Sequence, residues 1–268
     1  MKEYKIGFIG AGNMAKAIFS GAINGETVKK EQIYIYDIME KRVSELVNEF
    51  GINSAPSLSE LAKETDILVL AVKPNILDEV LEYLNELDIN LSLVSIVAGW
   101  DLDKIGSYFN KDNDINILRT MPNTPLLCAE GMTVFEIPNT LTKDVYLFIK
   151  GIFSSIGLVS EQKSSVMDAV TSISGSGPAY VFMFIEALAD AGVLNGLSRN
   201  DAILLASQTV LGAATTVLET GIHPAKLKDN VCSPGGTTIE AVRVLENNGF
   251  RSSIIEAVDA CCEKSKKL

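Results

Sequence analysis

The run KIGFIGAGNMAKAIFSGAI, Lys5 to Ile23, constrains this chain more than any other. An apolar strand, a turn built on two glycines and a helix follow one another without a spacer. QIYIY, ending at Tyr36, then supplies a second strand. Such a βαβ unit, spanning Lys5 to Asp37, implies parallel pairing and a glycine turn at the strand's carboxyl end. Gly10 permits the tight turn, and Gly12 lets a pyrophosphate approach the backbone. Ala15, in the place of a third glycine, still allows close packing of helix on strand. The amides near Asn13 and Met14 then face a ligand at the positive end of the helix dipole. Asp37 ends the second strand, where a carboxylate reads an adenine-ribose hydroxyl. It accepts from a 2′-OH and repels a 2′-phosphate, which favours NADH over NADPH; Lys41 and Arg42, one turn on, soften that preference.

The alternation continues. Glu40 to Phe50 reads as a helix ended by Gly51, Asp66–Val72 as a strand buried on both faces, and Pro74 to about Asn85 as a helix. LSLVSIVAG and INILRTM give two more strands around a short helix at Asp101–Tyr108. GMTVFEI reads as a further strand, and TKDVYLFIKGIFSSIG as a helix. After Glu161 the strand signals vanish. Ser164–Ser172, Pro178–Leu194, Arg199–Glu219, Thr238–Asn247 and Phe250–Lys264 read as helices, punctuated by Asn195–Gly196, Gly221, Pro224, Gly235–Gly236 and Gly249. The predicted fold is therefore α/β: a Rossmann-type doubly wound parallel sheet over residues 1–160, followed by an all-α dimerisation domain over 161–268. Several of the late helices are apolar around much of their circumference and are expected to pack against a second copy.

A net charge of −11 without a long basic block argues against nucleic acid or an anionic membrane as partner. Cys128, Cys232, Cys261 and Cys262 show no CxxC spacing and the chain has one histidine, so no metal site is expected and the thiols read as reduced. The N-terminal apolar run is too short and glycine-broken for a signal peptide, and no apolar run approaches the length of a membrane span. The expectation is a soluble cytoplasmic protein.

Ligands of such sheets bind beyond the carboxyl ends of the strands. AVKP (Ala71–Pro74), VAGW (Val97–Trp100) and RTMPNTP (Arg119–Pro125) sit at those ends, with Asn123 and Thr124 as positioned polar groups. In the second half, SGSGPAY (Ser174–Tyr180) reads as a pliable collar before an apolar helix, with Pro178 suited to its first turn. SPGGTT (Ser233–Thr238) reads as a glycine loop opening a helix. There Thr237 and Glu240 match a capping box, and paired hydroxyls beside open amides suit a carboxylate. His223 reads as a loop or helix-start residue rather than a catalytic base. A frame without an obvious base suits a substrate that scarcely needs one. A protonated cyclic imine is such a substrate, since hydride attack gives the amine directly.

In their order, GFIGAGNMA, AVKP, MPNTP, SGSGPAY, LKDN, SPGGTT and ENNGFRS resemble the pyrroline-5-carboxylate reductase family nearly end to end, the SGSGPAY and SPGGTT pair being the specific part. The resemblance implies NAD(P)H-dependent reduction of 1-pyrroline-5-carboxylate to L-proline, and a helical domain interlocked in a homodimer that can assemble further. It implies that Ile9, Gly10, Ala11, Gly12, Asn13 and Met14 hold the pyrophosphate region and Asp37 the adenine ribose. It also implies that Ala71, Val72, Lys73, Pro74, Val97, Ala98 and Gly99 line the cofactor, which Asn230 reaches from the helical domain. Ser176, Ser233, Gly236, Thr237 and Thr238 would surround the substrate, with Thr238 the catalytic group at the ring nitrogen. Two rivals fit less well. A β-hydroxyacid dehydrogenase uses a lysine on the helix after its glycine-rich loop, and here no lysine follows until Lys226. A dinucleotide-sensing scaffold would tolerate a degenerate substrate loop, whereas SGSGPAY and SPGGTT are whole.

Overall fold

Ile6–Ile9 forms β1 with all four residues buried, as a strand covered on both faces requires. The computed structural model describes residues 3–87, 90–110 and 115–267. After β1 come α1 (Asn13–Asn24), β2 (Ile33–Tyr36), α2 (Glu40–Phe50), β3 (Asn53–Ser54), α3 (Leu58–Glu64), β4 (Ile67–Leu70), α4 (Leu77–Glu86), β5 (Leu91–Ser95) and α5 (Leu102–Gly106). Then follow β6 (Ile115–Met121), β7 (Gly131–Ile137), α6 (Lys143–Ser154) and β8 (Gly157–Lys163). The sheet order is β3-β2-β1-β4-β5-β6-β7-β8. Pairing is parallel from β3 through β6, antiparallel between β6 and β7, and parallel again to β8.

Alternate residues of β4 feed the two sides of this sheet. Ile67 and Val69 join Phe8, Phe19, Ile35 and Phe153 under α1, α2 and α6. Leu68 and Leu70 join Leu61, Leu81, Trp100 and Ile105 under α3, α4 and α5. Both faces are thus covered by helices, the doubly wound arrangement expected from the alternation. α2 stops where expected: Gly51 takes φ +68° and returns its N–H to the Val47 carbonyl at 2.8 Å.

Beyond β8 come a 3-10 turn at Ser164–Val166, α7 (Met167–Val170), a π-turn at Thr171–Gly175 and α8 (Gly177–Leu194). The remaining helices are α9 (Arg199–Thr220), α10 (Pro224–Val231), α11 (Thr237–Asn247) and α12 (Phe250–Ser265). Contacts divide the chain into Met1–Ser176 with Cys262–Leu268, and Gly177–Cys261. In the second unit α8 and α9 are joined by a four-residue turn, Asn195–Ser198, in which the Ser198 hydroxyl caps α9 by accepting the Asp201 N–H. Small residues bring the two helices together: Ala189, Ala202 and Ala206 are the buried apolar residues there.

Several expectations are corrected. The collar before Pro178 is helical, not a loop. Ser174 and Gly175 belong to the π-turn, and just ahead of them Thr171 Oγ1 donates to the Met167 carbonyl and Ser172 Oγ to the Ala169 carbonyl, both at 2.9 Å, so these hydroxyls support the turn instead of competing with it. Strand β8 runs to Lys163, where the chain reads as helix followed by a loss of strand signal. Its polar half is held as a strand by pairing with β7. α3 and α10 are short helices that loop punctuation hides: Ser57 caps the first, and His223 and Pro224 open the second. Two helices, Ser164–Leu194 and Arg199–Thr220, are long and apolar enough to cross a membrane. That contradicts the expectation that no run reaches this length; their acids are spaced widely enough to leave 18-residue windows with at most two charges.

Candidate active site

The register of the sheet gathers the sequence-predicted cofactor stretches of the first unit. Ile9 stands opposite both Tyr36 and Leu70, and Leu70 opposite Ser95. The residues that follow each strand therefore leave from one row. Hydrogen bonds extend that row: Gly10 N–H to the Tyr36 carbonyl at 2.8 Å, Ala71 N–H to the Ile9 carbonyl at 2.9 Å, and Ile96 N–H to the Leu70 carbonyl at 3.2 Å. Strand order turns back between β1 and β4, which makes this edge the topological switch point.

Gly10 has φ +104°, and a Cβ there would lie 2.6 Å from the Ala71 backbone oxygen. Both facts demand glycine. Gly12 is the N-cap of α1, with no side-chain cap, no acid in the first turn, and nothing within 4 Å of where its Cβ would stand. The first amides of α1 thus meet open space at the positive end of a twelve-residue helix, which fits the diphosphate of a dinucleotide. Ile9 and Ala11 are themselves buried, so they offer backbone rather than side chain.

Asp37 grips this loop. Its Oδ2 accepts the Ala11 N–H at 2.8 Å and its Oδ1 the Met39 N–H at 2.9 Å. From the other side, Arg42 Nε donates to the Ala11 carbonyl at 3.1 Å. A carboxylate and a guanidinium therefore hold the two successive peptide groups that meet at Ala11. Sequence reading did not single out Ile38 and Met39, which are 81% and 64% exposed beside Asp37.

The Ala71–Pro74 loop leads into a 3-10 turn at Pro74–Ile76, with Lys73 exposed as its N-cap. Ala71 and Val72 are half-buried. Val97 is buried and donates its N–H to Ser95 Oγ, and Gly99 takes φ +78°. In MPNTP the two polar residues part ways. Asn123 is buried, donating to the Ser174 carbonyl and accepting the Met132 N–H, whereas Thr124 is exposed. Ser176 ends the first unit, its N–H closing the π-turn on the Thr171 carbonyl at 2.9 Å.

In the second unit, Ser233 to Gly236 forms a turn with proline second and Gly235 third at φ +67°, closed by the Gly236 N–H on the Ser233 carbonyl at 3.1 Å. That is the pattern of a type II turn. Gly236 is the N-cap of α11 and no side chain caps it. The expected capping box is therefore absent. Thr237 is the first helical residue rather than the cap, and Glu240 is taken by Arg243, whose guanidinium bonds hold that carboxyl below its usual range. The amides at the start of α11 are left open beside the Thr237 and Thr238 side chains, an arrangement that can receive an anion. His223 is the N-cap of α10, its Nδ1 accepting the Ala225 N–H at 3.2 Å, a structural role. Asn230 lies exposed on the last turn of α10.

Among the described residues no group of three His, Cys, Asp or Glu side chains is placed to hold a metal ion. A cavity lined by Ser20, Asn24, Leu126, Cys128, Ser155 and Ile156 among others contains none of the sequence-predicted site residues.

Comparison with known proteins follows this division. A family described as pyrroline-5-carboxylate reductase dimerisation matches residues 164–268, and one described as NADP oxidoreductase, coenzyme F420-dependent, matches residues 5–99. The chain is 49% identical over 268 residues to the pyrroline-5-carboxylate reductase of Escherichia coli (strain K12), covering 99% of this chain and 98% of that protein. To the reductase of the same name from Arabidopsis thaliana it is 39% identical over 270 residues, covering 100% and 96%. Among solved structures, Plasmodium falciparum pyrroline carboxylate reductase with NADP bound superposes with a TM-score of 0.88 at 37% identity, covering 100% of this chain and 98% of that one. The Coxiella burnetii pyrroline-5-carboxylate reductase gives 0.89 at 33%, covering 99% and 98%.

Proposed function

The chain belongs to the pyrroline-5-carboxylate reductase family, and from that premise we propose that it reduces 1-pyrroline-5-carboxylate to L-proline with NAD(P)H. The observation that carries this reading is the likeness at 49% identity over essentially the whole chain, with both SGSGPAY and SPGGTT intact.

The open N-terminus of α1 at Gly12, with Asn13 and Met14, holds the pyrophosphate. Asp37 holds the adenine ribose, and the exposed Ile38 and Met39 beside it give the adenine an apolar surface. Ala71–Pro74 and Val97–Gly99 line the rest of the cofactor, and Asn230 reaches it. When bound, the reduced nicotinamide supplies the hydride that the imine carbon accepts. The protein's own work is to align, to exclude water and to hold charge. Ser233, Thr237 and the open amides at the start of α11 hold the substrate carboxylate. Gly236 and Ser176 complete the substrate's surroundings in this reading, and the Thr238 hydroxyl engages the ring nitrogen, which carries the proton that makes the carbon electrophilic. No histidine base is needed, in keeping with the capping role of His223.

NADH is the preferred cofactor in this reading. Asp37 has both oxygens fixed by backbone N–H groups, which supports a carboxylate that meets the ribose hydroxyl and repels a 2′-phosphate. Arg42, anchored on the Ala11 carbonyl, is the group that admits NADPH at lower efficiency.

The functional boundary lies at residue 160, with the cofactor half at 1–160 and the substrate and dimerisation half at 161–268; contact density divides the chain later, after Ser176. The apolar helices of the second half face a second copy rather than lipid, the homodimers assemble further, and the protein works in the cytoplasm without nucleic acid or membrane. Steady-state oxidation of NADH and of NADPH with 1-pyrroline-5-carboxylate tests the reading. Turnover with NADH ahead of NADPH is expected. A folded dimer that binds reduced cofactor yet stays silent with both would overturn the reaction.

A further inference from the structure

A proline inside a helix withholds the N–H that the carbonyl four residues earlier would accept, and its ring crowds that carbonyl. Pro178, the second residue of α8, stands four residues after Ser174 and likewise offers its carbonyl no N–H. Ahead of it the helix widens into the π-turn at Thr171–Gly175. Such single wide turns relieve a local conflict in the helical ladder and recur at functional sites.

One side chain from elsewhere meets the affected carbonyl. Asn123 Nδ2 donates to the Ser174 carbonyl at 3.2 Å and lies 3.5 Å from Ser174 Oγ, while its Oδ1 accepts the Met132 N–H at 2.9 Å. Asn123 is 9% exposed, so these bonds are sheltered from water. Its neighbour Met121 lies over the same turn, its Cε 2.6 Å from where a Cβ on Gly175 would stand. The end of β6, on the carboxyl edge of the sheet, is thereby strapped to the residues that lead into Ser176.

We infer that Asn123 is a positioning residue for the reaction: its amide replaces the helical donor that Pro178 lacks, fixes the wide turn, and so sets the direction of Ser176. This rests on the reading that Ser176 faces the substrate. The side chain has to donate and accept at once. Aspartate keeps the size and the acceptor but loses the donor, and glutamine is too long by one methylene.

A double-mutant cycle of Asn123→Asp with Pro178→Ala tests it. In the parent background N123D is expected to lower kcat/KM for 1-pyrroline-5-carboxylate about tenfold or more, the effect of leaving a sheltered carbonyl without its donor. NADH affinity, followed by Trp100 fluorescence, stays within about twofold of the parent. Amide exchange quickens over residues 171–176 and not in the sheet. P178A returns an N–H to the Ser174 carbonyl, so in that background the N123D loss is expected to shrink below about threefold. Equal losses in both backgrounds, unchanged exchange over 171–176, or a matching loss of NADH affinity would each overturn the inference. Should N123D not fold, P178A/N123D measured against P178A carries the same test, and a tenfold loss there overturns it. If the parent protein does not turn over 1-pyrroline-5-carboxylate at all, the assigned reaction falls, while the exchange measurement still decides what Asn123 does to the turn.

Discussion

Asp37 is fixed by the backbone N–H groups of Ala11 and Met39, so in the proposed reading a ribose hydroxyl would meet a carboxylate that needs no rearrangement. Removing its charge should act on cofactor choice more than on folding. Asp37→Ser is expected to raise the NADPH-to-NADH efficiency ratio about tenfold, since a like-charge juxtaposition costs at least one decade of affinity. Steady-state kinetics with both cofactors checks this, and an unchanged ratio would locate the discrimination elsewhere. Three other residues bear on stability. Arg119 and Glu136 pair at 3.0 Å across β6 and β7 with side chains 7% and 3% exposed. Arg119→Met leaves a buried carboxylate uncompensated and should cost about 3–5 kcal/mol in urea unfolding. Thr133 has a buried hydroxyl without a hydrogen-bond partner among the described residues. Thr133→Val removes that desolvated group and should stabilise by about 1 kcal/mol, seen as a higher midpoint in the same titration.

At the scale of elements, the turn between β1 and α1 separates folding from binding. Gly10 is required by the chain itself, because both its φ and the Ala71 oxygen exclude a side chain. Gly12 is not required by the chain: its φ of −73° suits any residue and a Cβ there meets no protein atom. Gly12→Val should therefore change unfolding free energy by no more than about 1 kcal/mol, the ordinary cost of a poor N-cap. NADH binding should weaken about tenfold or more, because the methyl groups would stand where the pyrophosphate approaches in the proposed reading. Titration of Trp100 fluorescence beside thermal melting distinguishes the two effects. Parallel loss of stability and affinity would mean that the glycine serves the fold.

At the scale of the molecule, the second unit exposes more apolar surface than a lone subunit keeps. Phe182, Leu204 and Leu218 are 62%, 67% and 70% exposed, and residues 164–268 match a dimerisation family. Burial of such side chains against a second copy is worth about 1.5–3 kcal/mol each. Leu204→Glu should therefore convert dimers to monomers or aggregates at micromolar concentration. Sedimentation velocity reads the outcome directly; an unperturbed dimer would place the interface on other helices.

Most of the first half was legible in the sequence because its signals are local. A buried strand needs a continuous apolar run, a dinucleotide turn needs glycine at Gly10, and Gly51 stops a helix through its own backbone freedom. Those constraints act between residues a few positions apart. What escaped depended on distant partners. β8 is a strand because β7 lies beside it. The SGSG segment, which by composition is a loop, begins inside the π-turn Thr171–Gly175, where Thr171 and Ser172 bond back along the helix and Asn123, 51 positions earlier, donates to the Ser174 carbonyl. The sequence by itself determined the βαβ frame, the glycine turn and the family motifs, since each is written in residues close together along the chain. Only the tertiary structure decided which carbonyls, carboxylates and amides find partners, because hydrogen bonds between distant segments exist only once the sheet has set its register.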